Sequence, residues 1–226
     1  MPTLRLICLL LVLAACSSET GTQPGLGKIA LDLLRERVSA QNVEKAGASG
    51  PSPVTRAQMA GFGQPVVFVT VPRLGRGVPA FEVANNGGNR TFMGADRATV
   101  TLKDGVVVAT RGLPVDLFAQ GLSIAPRQLF FGDFPKTYTR KQRHLSGEAT
   151  LADSDFACAI APNDSDEVIE IFGRAHRVRQ FTELCKNRTR AFKNSYWVER
   201  PSGIVWQSHQ SVSKEVGHVI LQQVVN

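Results

Sequence analysis

From residue 65 to the C-terminus, short runs of β-branched and aromatic residues recur between Gly, Pro, Asn and Asp. That spacing points to an antiparallel sheet that folds back on itself. The sharpest signal is Arg97-Ala98-Thr99-Val100-Thr101-Leu102, which alternates, followed by Lys103-Asp104-Gly105 and the return run Val106-Val107-Val108-Ala109-Thr110. Asp-Gly supplies the positive φ angles of a tight hairpin, so a hairpin is nearly forced. Upstream, Pro65-Val66-Val67-Phe68-Val69-Thr70-Val71 is apolar on both faces and predicts a strand that needs cover on each side. Residues 80–84 read as a second short strand before the turn Asn85-Asn86-Gly87-Gly88. Downstream, strands are predicted over 148–151, 156–160, 167–173 with a basic continuation through 174–179, 191–198, 204–212 and 216–225. Pro201-Ser202-Gly203 is the turn between the two strands that carry Trp197 and Trp206.

Helical signals are few. Over residues 27–41, Ile29 and Leu33, with Ala30, Leu34 and Val38 on an adjoining stripe, recur at helical spacing opposite Arg35, Glu36 and Arg37, which predicts an amphipathic helix. Residues 46–53, rich in Gly and Pro, must be a loop. Residues 55–61 and 115–119 each read as a helical turn, the second with Asp116 at its positive end. Phe130, Phe131, Phe134 and Tyr138 run into Lys136, Arg140, Lys141 and Arg143, and are expected to plug a core beneath a solvated basic edge rather than stack on sugar. The expected fold is therefore mainly β: an antiparallel sheet curled into a partial barrel or sandwich, with an N-terminal amphipathic helix and short helical turns.

The first eighteen residues decide the compartment. Arg5, an apolar run from Leu6 to Val12 and small residues before a cut site are the parts of a secretory signal, and the run is too short to remain as a membrane span. Leu13-Ala14-Ala15-Cys16 resembles the lipobox of bacterial lipoproteins, which implies cleavage before Cys16 and acylation of its thiol. Three acyl chains exceed the two signals that stable anchoring requires. Ser17 and Ser18, in place of an aspartate after the cysteine, favour the periplasmic face of the outer membrane. The predicted organisation is a signal peptide over 1–15, a lipidated flexible tether over 16–26, and a single mostly-β domain over 27–226.

Cys8 leaves with the signal and Cys16 is acylated, so the mature chain keeps Cys158 and Cys185, expected to be bonded in an oxidising compartment. The competing use of this pair, a metal site with His176, lacks a close ligand pair, and neither metal nor cofactor is expected. The net charge of +7, one unit of which leaves with Arg5, does not point to nucleic acid behind a secretory signal. It suits an acidic polysaccharide, lipid phosphate or an acidic protein surface, or simply a solvated basic face. No Gly-x-Ser-x-Gly elbow, His-Glu-x-x-His or phosphate loop is present, and His144, His176, His209 and His218 stand in no recognisable triad.

Several blocks carry a family resemblance: Gly94-Ala95-Asp96-Arg97 through Leu102, Thr110-Arg111-Gly112-Leu113, Ile169-Glu170-Ile171-Phe172-Gly173, Glu183-Leu184-Cys185, Phe192-Lys193-Asn194-Ser195-Tyr196-Trp197-Val198-Glu199, and Gly203-Ile204-Val205-Trp206-Gln207-Ser208. In content and order these resemble the YjbF family of group 4 capsule lipoproteins. The resemblance leaves out residues 46–53. It implies an outer-membrane lipoprotein of mainly β structure, associated with production or export of capsule or exopolysaccharide and working beside an outer-membrane β-barrel. The expected role is a non-enzymatic accessory or binding component. Trp197, Trp206, Arg174 and Arg177 are its candidate glycan contacts; the alternative is that the tryptophans are core and the arginines solvated. Two other roles stand beside it, a structural lipoprotein that stabilises a neighbouring barrel and a glycan-modifying enzyme in which Asp116 and Glu199 converge in a cleft.

Overall fold

A computed structural model describes residues 54–226; the signal, Cys16, the tether, the helix expected over 27–41 and the loop 46–53 lie outside the described residues. A single helix turn, α1 (Arg56–Ala60), precedes twelve strands: β1 (Val66–Val71), β2 (Arg76–Asn86), β3 (Asn89–Gly94), β4 (Thr99–Lys103), β5 (Val106–Arg111), β6 (Val115–Leu122), β7 (Lys136–Ser146), β8 (Leu151–Ile171), β9 (Arg174–Lys186), β10 (Ala191–Val198), β11 (Val205–Ser213) and β12 (Gly217–Val225). They form one antiparallel sheet in the order β5-β4-β3-β2-β1-β12-β11-β10-β9-β8-β7-β6, curled into a nearly closed barrel.

The end strands of that order, β5 and β6, meet through side chains. Leu117 N–H donates to Thr110 Oγ1 (2.9 Å), the Arg111 guanidinium donates to the carbonyls of Leu117 (3.4 Å) and Phe118 (3.1 Å), and Gln120 Nε2 donates to the Val107 carbonyl (2.5 Å). From β11, across the interior, Gln210 accepts from Val107 N–H (2.9 Å) and donates to the Gly105 carbonyl (2.8 Å).

Strand alternation divides the packing into an inner and an outer set. Val67, Val71, Phe92, Val100, Val107, Leu117, Val212 and Leu221 fill one half of the interior, and Phe130, Phe156, Ile160, Phe181, Tyr196 and Val198 fill the other. Val66 and Phe68 of β1 point outward and are covered there, as its doubly apolar sequence requires: Met59 of α1 packs on Val66, Phe81 and Val224, and Phe172 stacks on Phe68 at 5.1 Å. A capping box holds α1, with Gln58 N–H donating to Thr55 Oγ1 (3.3 Å) and Thr55 N–H donating to Gln58 Oε1 (2.8 Å).

The hairpin over 97–110 forms as β4 and β5, with Asp104 at φ 49° and Gly105 at φ 79°. A Cβ at Gly105 would sit 2.4 Å from Val205 Cγ2, so this turn also needs the missing side chain for space. Other expectations are corrected. Residues 115–119 are not a helical turn but the first part of β6: Leu117 is fully buried as a barrel strand, and the Asp116 carboxylate accepts from Gly112 N–H (3.0 Å), Leu113 N–H (3.2 Å) and Thr110 Oγ1 (2.9 Å), capping the turn before the strand. Residues 148–150, expected to begin a strand, belong to the turn after β7, and the strands expected separately over 156–160 and 167–173 are one strand, β8, irregular only between Pro162 and Asp166. That irregularity lets the outer parts of β8 and β9 leave the barrel wall as an arm, which lays Ile169, Ile171 and Val178 against Trp206 on the outside. Cys158 and Cys185 face each other on β8 and β9 and are bonded, as the cysteine count predicts.

Candidate functional site

Three places concentrate polar chemistry. The first is the barrel interior. Alternation places Tyr138 and Arg140 of β7, Glu183 of β9, and Asn194 and Tyr196 of β10 on the inner face, where Glu183 is fully buried and Arg140 is 1% exposed. The Glu183 carboxylate accepts from Arg140 Nη2 (2.6 and 2.8 Å) and Nε (3.0 Å), Asn194 Nδ2 (2.7 Å), the Tyr196 hydroxyl (2.9 Å) and the Tyr138 hydroxyl. Burial works against the Arg140 cation, yet the Glu183 carboxylate outweighs it and holds the guanidinium above its ordinary value. Burial, and next the Glu183 charge, push both tyrosine hydroxyls far above theirs. With each polar group engaged, this is a rigid centre, and its carboxylate has no face open to a substrate.

The second is the end of the barrel where the β2–β3, β4–β5 and β10–β11 turns meet the C-terminus. A cleft of about 300 Å³ opens there, with Phe92, Leu102 and Leu221 as floor and Arg90, Arg127, Asp104 and Ser202 around the rim. Glu82 holds Arg90 (2.8 Å), and Arg127 lies over the Phe131 ring (5.7 Å). Barrel mouths of this kind are common ligand sites.

The third is the arm. Arg174, His176 and Val178 share the arm face that looks onto the barrel, opposite Ile171, Ile169 and Glu167 in the ladder. His176 stacks on Trp206 with ring centroids 3.8 Å apart, and Arg174 lies 6.0 Å over the same indole. Arg56 of α1 donates to the Ile171 carbonyl at 3.3 Å, the strand end that pairs with Arg174. Of the four residues expected to contact glycan, Trp206 is buried (6% exposed) and so offers no open platform, while Arg174 is exposed beside it. Trp197 is half-buried, donates Nε1–H to Glu167 (2.9 Å) and stacks with His209 at 4.8 Å. Arg177 lies on the other face of the arm and pairs with Asp166 (3.5 Å). The acids of the enzymatic alternative do not converge: Asp116 begins β6 at the far end of the barrel from Glu199, which follows β10 and accepts from Ser202 (2.8 Å).

The family model for the group 4 capsule polysaccharide lipoproteins gfcB and YjbF matches residues 43–224. The chain belongs to the YjbF family. That membership gives it a role in capsule or polysaccharide production and accords with a location in the cell envelope. Among solved structures, the chain is similar to the hypothetical lipoprotein YmcC from Escherichia coli (K12), with a TM-score of 0.66 and 16% identity, over 87% of this chain and 95% of that one; at that identity the likeness concerns the fold. No curated protein sequence matches the chain.

Within this YjbF chain, sequence reasoning missed the buried ion network and the parts of the arm site supplied by Arg56 and His176. The network carried a signal: Tyr138-x-Arg140-x-Gln142 and Phe181-x-Glu183-x-Cys185 keep strict alternation, and Cys185 marks its face as inward. The metal alternative for the cysteines is not built, because Cys158 and Cys185 are bonded to each other and His176 stacks on Trp206 instead. Arg56 carried no such signal, since only the tertiary placement of α1 brings it to the arm.

Proposed function

We propose that this chain is a non-enzymatic accessory lipoprotein of capsule or exopolysaccharide export, acylated at Cys16 and held at the periplasmic face of the outer membrane, where it binds polymer beside an outer-membrane β-barrel. The observation that carries this reading is the family match over residues 43–224. The lipobox Leu13-Ala14-Ala15-Cys16 supports the anchoring, and the tether over 16–26 would lift a single domain off the bilayer. A binding role rather than catalysis is supported by how the buried acids are used. Glu183 and Asp116 are occupied by hydrogen bonds that hold the fold, and Asp116 and Glu199 stand at opposite ends of the barrel. Polymer contact belongs to the turn-end cleft and to the arm, where Arg174 is exposed beside the buried Trp206.

Deleting the gene is the direct test. The expected result is a change in the amount or chain length of surface polysaccharide, restored by the wild-type chain but not by Cys16→Ser; surface polysaccharide unchanged in both respects overturns the proposal. Fractionation of cells expressing each version, with mass spectrometry of the mature N-terminus, checks the anchor independently.

A further inference from the structure

His176 and Trp206 share an unusual feature. Both side chains are more than nine-tenths buried, and His176 Nε2 and Trp206 Nε1, each enclosed, have no hydrogen-bond partner. Buried ring nitrogens are ordinarily paired, and an unmatched one costs about 1–3 kcal/mol, so two in one stacked pair call for an explanation. The charge around them is also unbalanced. Arg56 and Arg174 approach the same pair from α1 and from the arm tip, and among the described residues neither has a carboxylate within salt-bridge distance. Burial and then Arg174 lower the Arg56 pKa, and burial, then Arg174 and Arg56, hold the His176 imidazole below its ordinary value, with Glu199 alone opposing. Two guanidiniums that repel each other beside an enclosed pair of unpartnered ring nitrogens leave an excess of positive charge, which an oxyanion held between the guanidiniums would offset.

We propose that Arg56, Arg174, His176 and Trp206 form a niche for a single oxyanion carried by an acidic glycan, such as the carboxylate of a uronic acid. This rests on the polysaccharide-binding reading above and names the part of the polymer that the arm takes. A membrane surface fits the same place less well. Asp164, Asp166, Glu167 and Glu170 are exposed along the arm strand just before the niche, so the surroundings are mixed in charge, whereas attraction to an anionic bilayer needs an unopposed basic patch. A local site with two guanidinium forks instead selects a group that fits between them.

The test uses the full mature chain carrying Trp197→Phe, so that indole emission reports Trp206 alone. The probes are a galacturonate hexamer, a neutral malto-oligosaccharide of equal length, inorganic phosphate and phosphatidylglycerol vesicles. The galacturonate is expected to bind, to change the emission, and to move the His176 titration upward, since an anion favours the imidazolium that Arg56 and Arg174 disfavour. Arg174→Gln, at an exposed position, and Arg56→Gln should each weaken binding at least tenfold. Phosphate that competes with galacturonate supports the niche. The inference is overturned if galacturonate binds no better than the neutral oligomer, if its binding is indifferent to both substitutions, or if vesicles bind through Arg174 while galacturonate does not. Each of these outcomes is separate from the gene deletion, whose failure would remove the export role without touching a measured affinity.

Discussion

Replacing Glu183 by glutamine removes one charge and almost no volume from the centre of the barrel. The carboxylate accepts from Arg140, Asn194, Tyr196 and Tyr138 on both of its oxygens. In the variant one of those positions becomes an NH2 group that faces donors, and Arg140, 1% exposed, keeps its charge with nothing to balance it. Removing one partner of a buried pair costs about 3–5 kcal/mol, because the surviving ion has lost its water as well as its counter-ion. Against a total stability of about 5–15 kcal/mol for a single domain, that is a large share. In equilibrium urea unfolding, with a slope near the upper end of about 1–3 kcal/mol/M, the midpoint should fall by roughly 1.5 M. The double variant Arg140→Met with Glu183→Gln removes the stranded cation and leaves the amide carbonyl to accept from Asn194 or a tyrosine. It should recover about half of the loss, since an apolar replacement of a buried ion pair is often neutral. A single variant that loses less than about 1 kcal/mol, or a double variant as unstable as the sum of its parts, would refute the account of the interior as a charge-balanced network.

Four further outcomes follow from other parts of the fold. Tyr138 and Tyr196 are the only tyrosines, and their folded values are raised, so above the unfolded value of about 10 the unfolded chain sheds protons that the folded chain keeps and stability falls as pH rises. Tyrosinate absorbance should therefore appear in one step together with unfolding, and a gradual titration of folded protein near pH 10 would contradict it. His176 and His209 are lowered, chiefly by burial, so their contribution is present above about pH 6.5 and is lost as pH falls through that value toward the folded ones; His176→Leu should flatten the acid side of a stability profile. Gly105→Ala places a Cβ at positive φ against Val205 and should cost more than about 1 kcal/mol in thermal unfolding. Cys158 and Cys185 close a loop of 27 residues, so replacing both by alanine should cost about 3–4 kcal/mol on the chain-entropy account, read as the difference in urea midpoint from the wild-type chain without reductant.

Local chemistry made much of the sheet legible. Asp104-Gly105 fixed one hairpin, the doubly apolar run 66–71 announced a strand covered on both sides, and the cysteine count paired Cys158 with Cys185. Asp116 misled because an acid beside a proline-punctuated turn suits a helix start as well as the turn cap it provides, and only closure of the barrel selects the strand. The continuity of β8 was hidden by Pro162, Asn163 and Asp164, which read as a break; in the structure they coincide with an irregularity that bends one strand rather than ending it. Functional placement was less legible for a related reason. Trp197 and Trp206 flank one turn in sequence, but a bulge between Trp197 and Val198 sends Trp206 outward beneath the arm, where it meets His176 and Arg174 from a distant strand.

The way the barrel closes limits how a partner can be held. A sheet edge usually invites strand addition through its unpaired N–H and C=O groups. Here the edge of β5 is blunted by side chains: Val107 N–H goes to Gln210 and its carbonyl receives Gln120. On β6, Leu117 N–H goes to Thr110, and the carbonyls of Leu117 and Phe118 receive Arg111. An extended peptide or a second sheet therefore finds those groups already engaged, and admitting it would mean breaking these bonds before making new ones. Recognition then falls to side chains at the barrel's margins, namely the rim of the turn-end cleft with Arg90 and Arg127, and the arm's Arg174 with Arg56 of α1 beside it. Both places carry cations next to aromatic rings, a surface chemistry that favours anionic sugars over another chain's backbone.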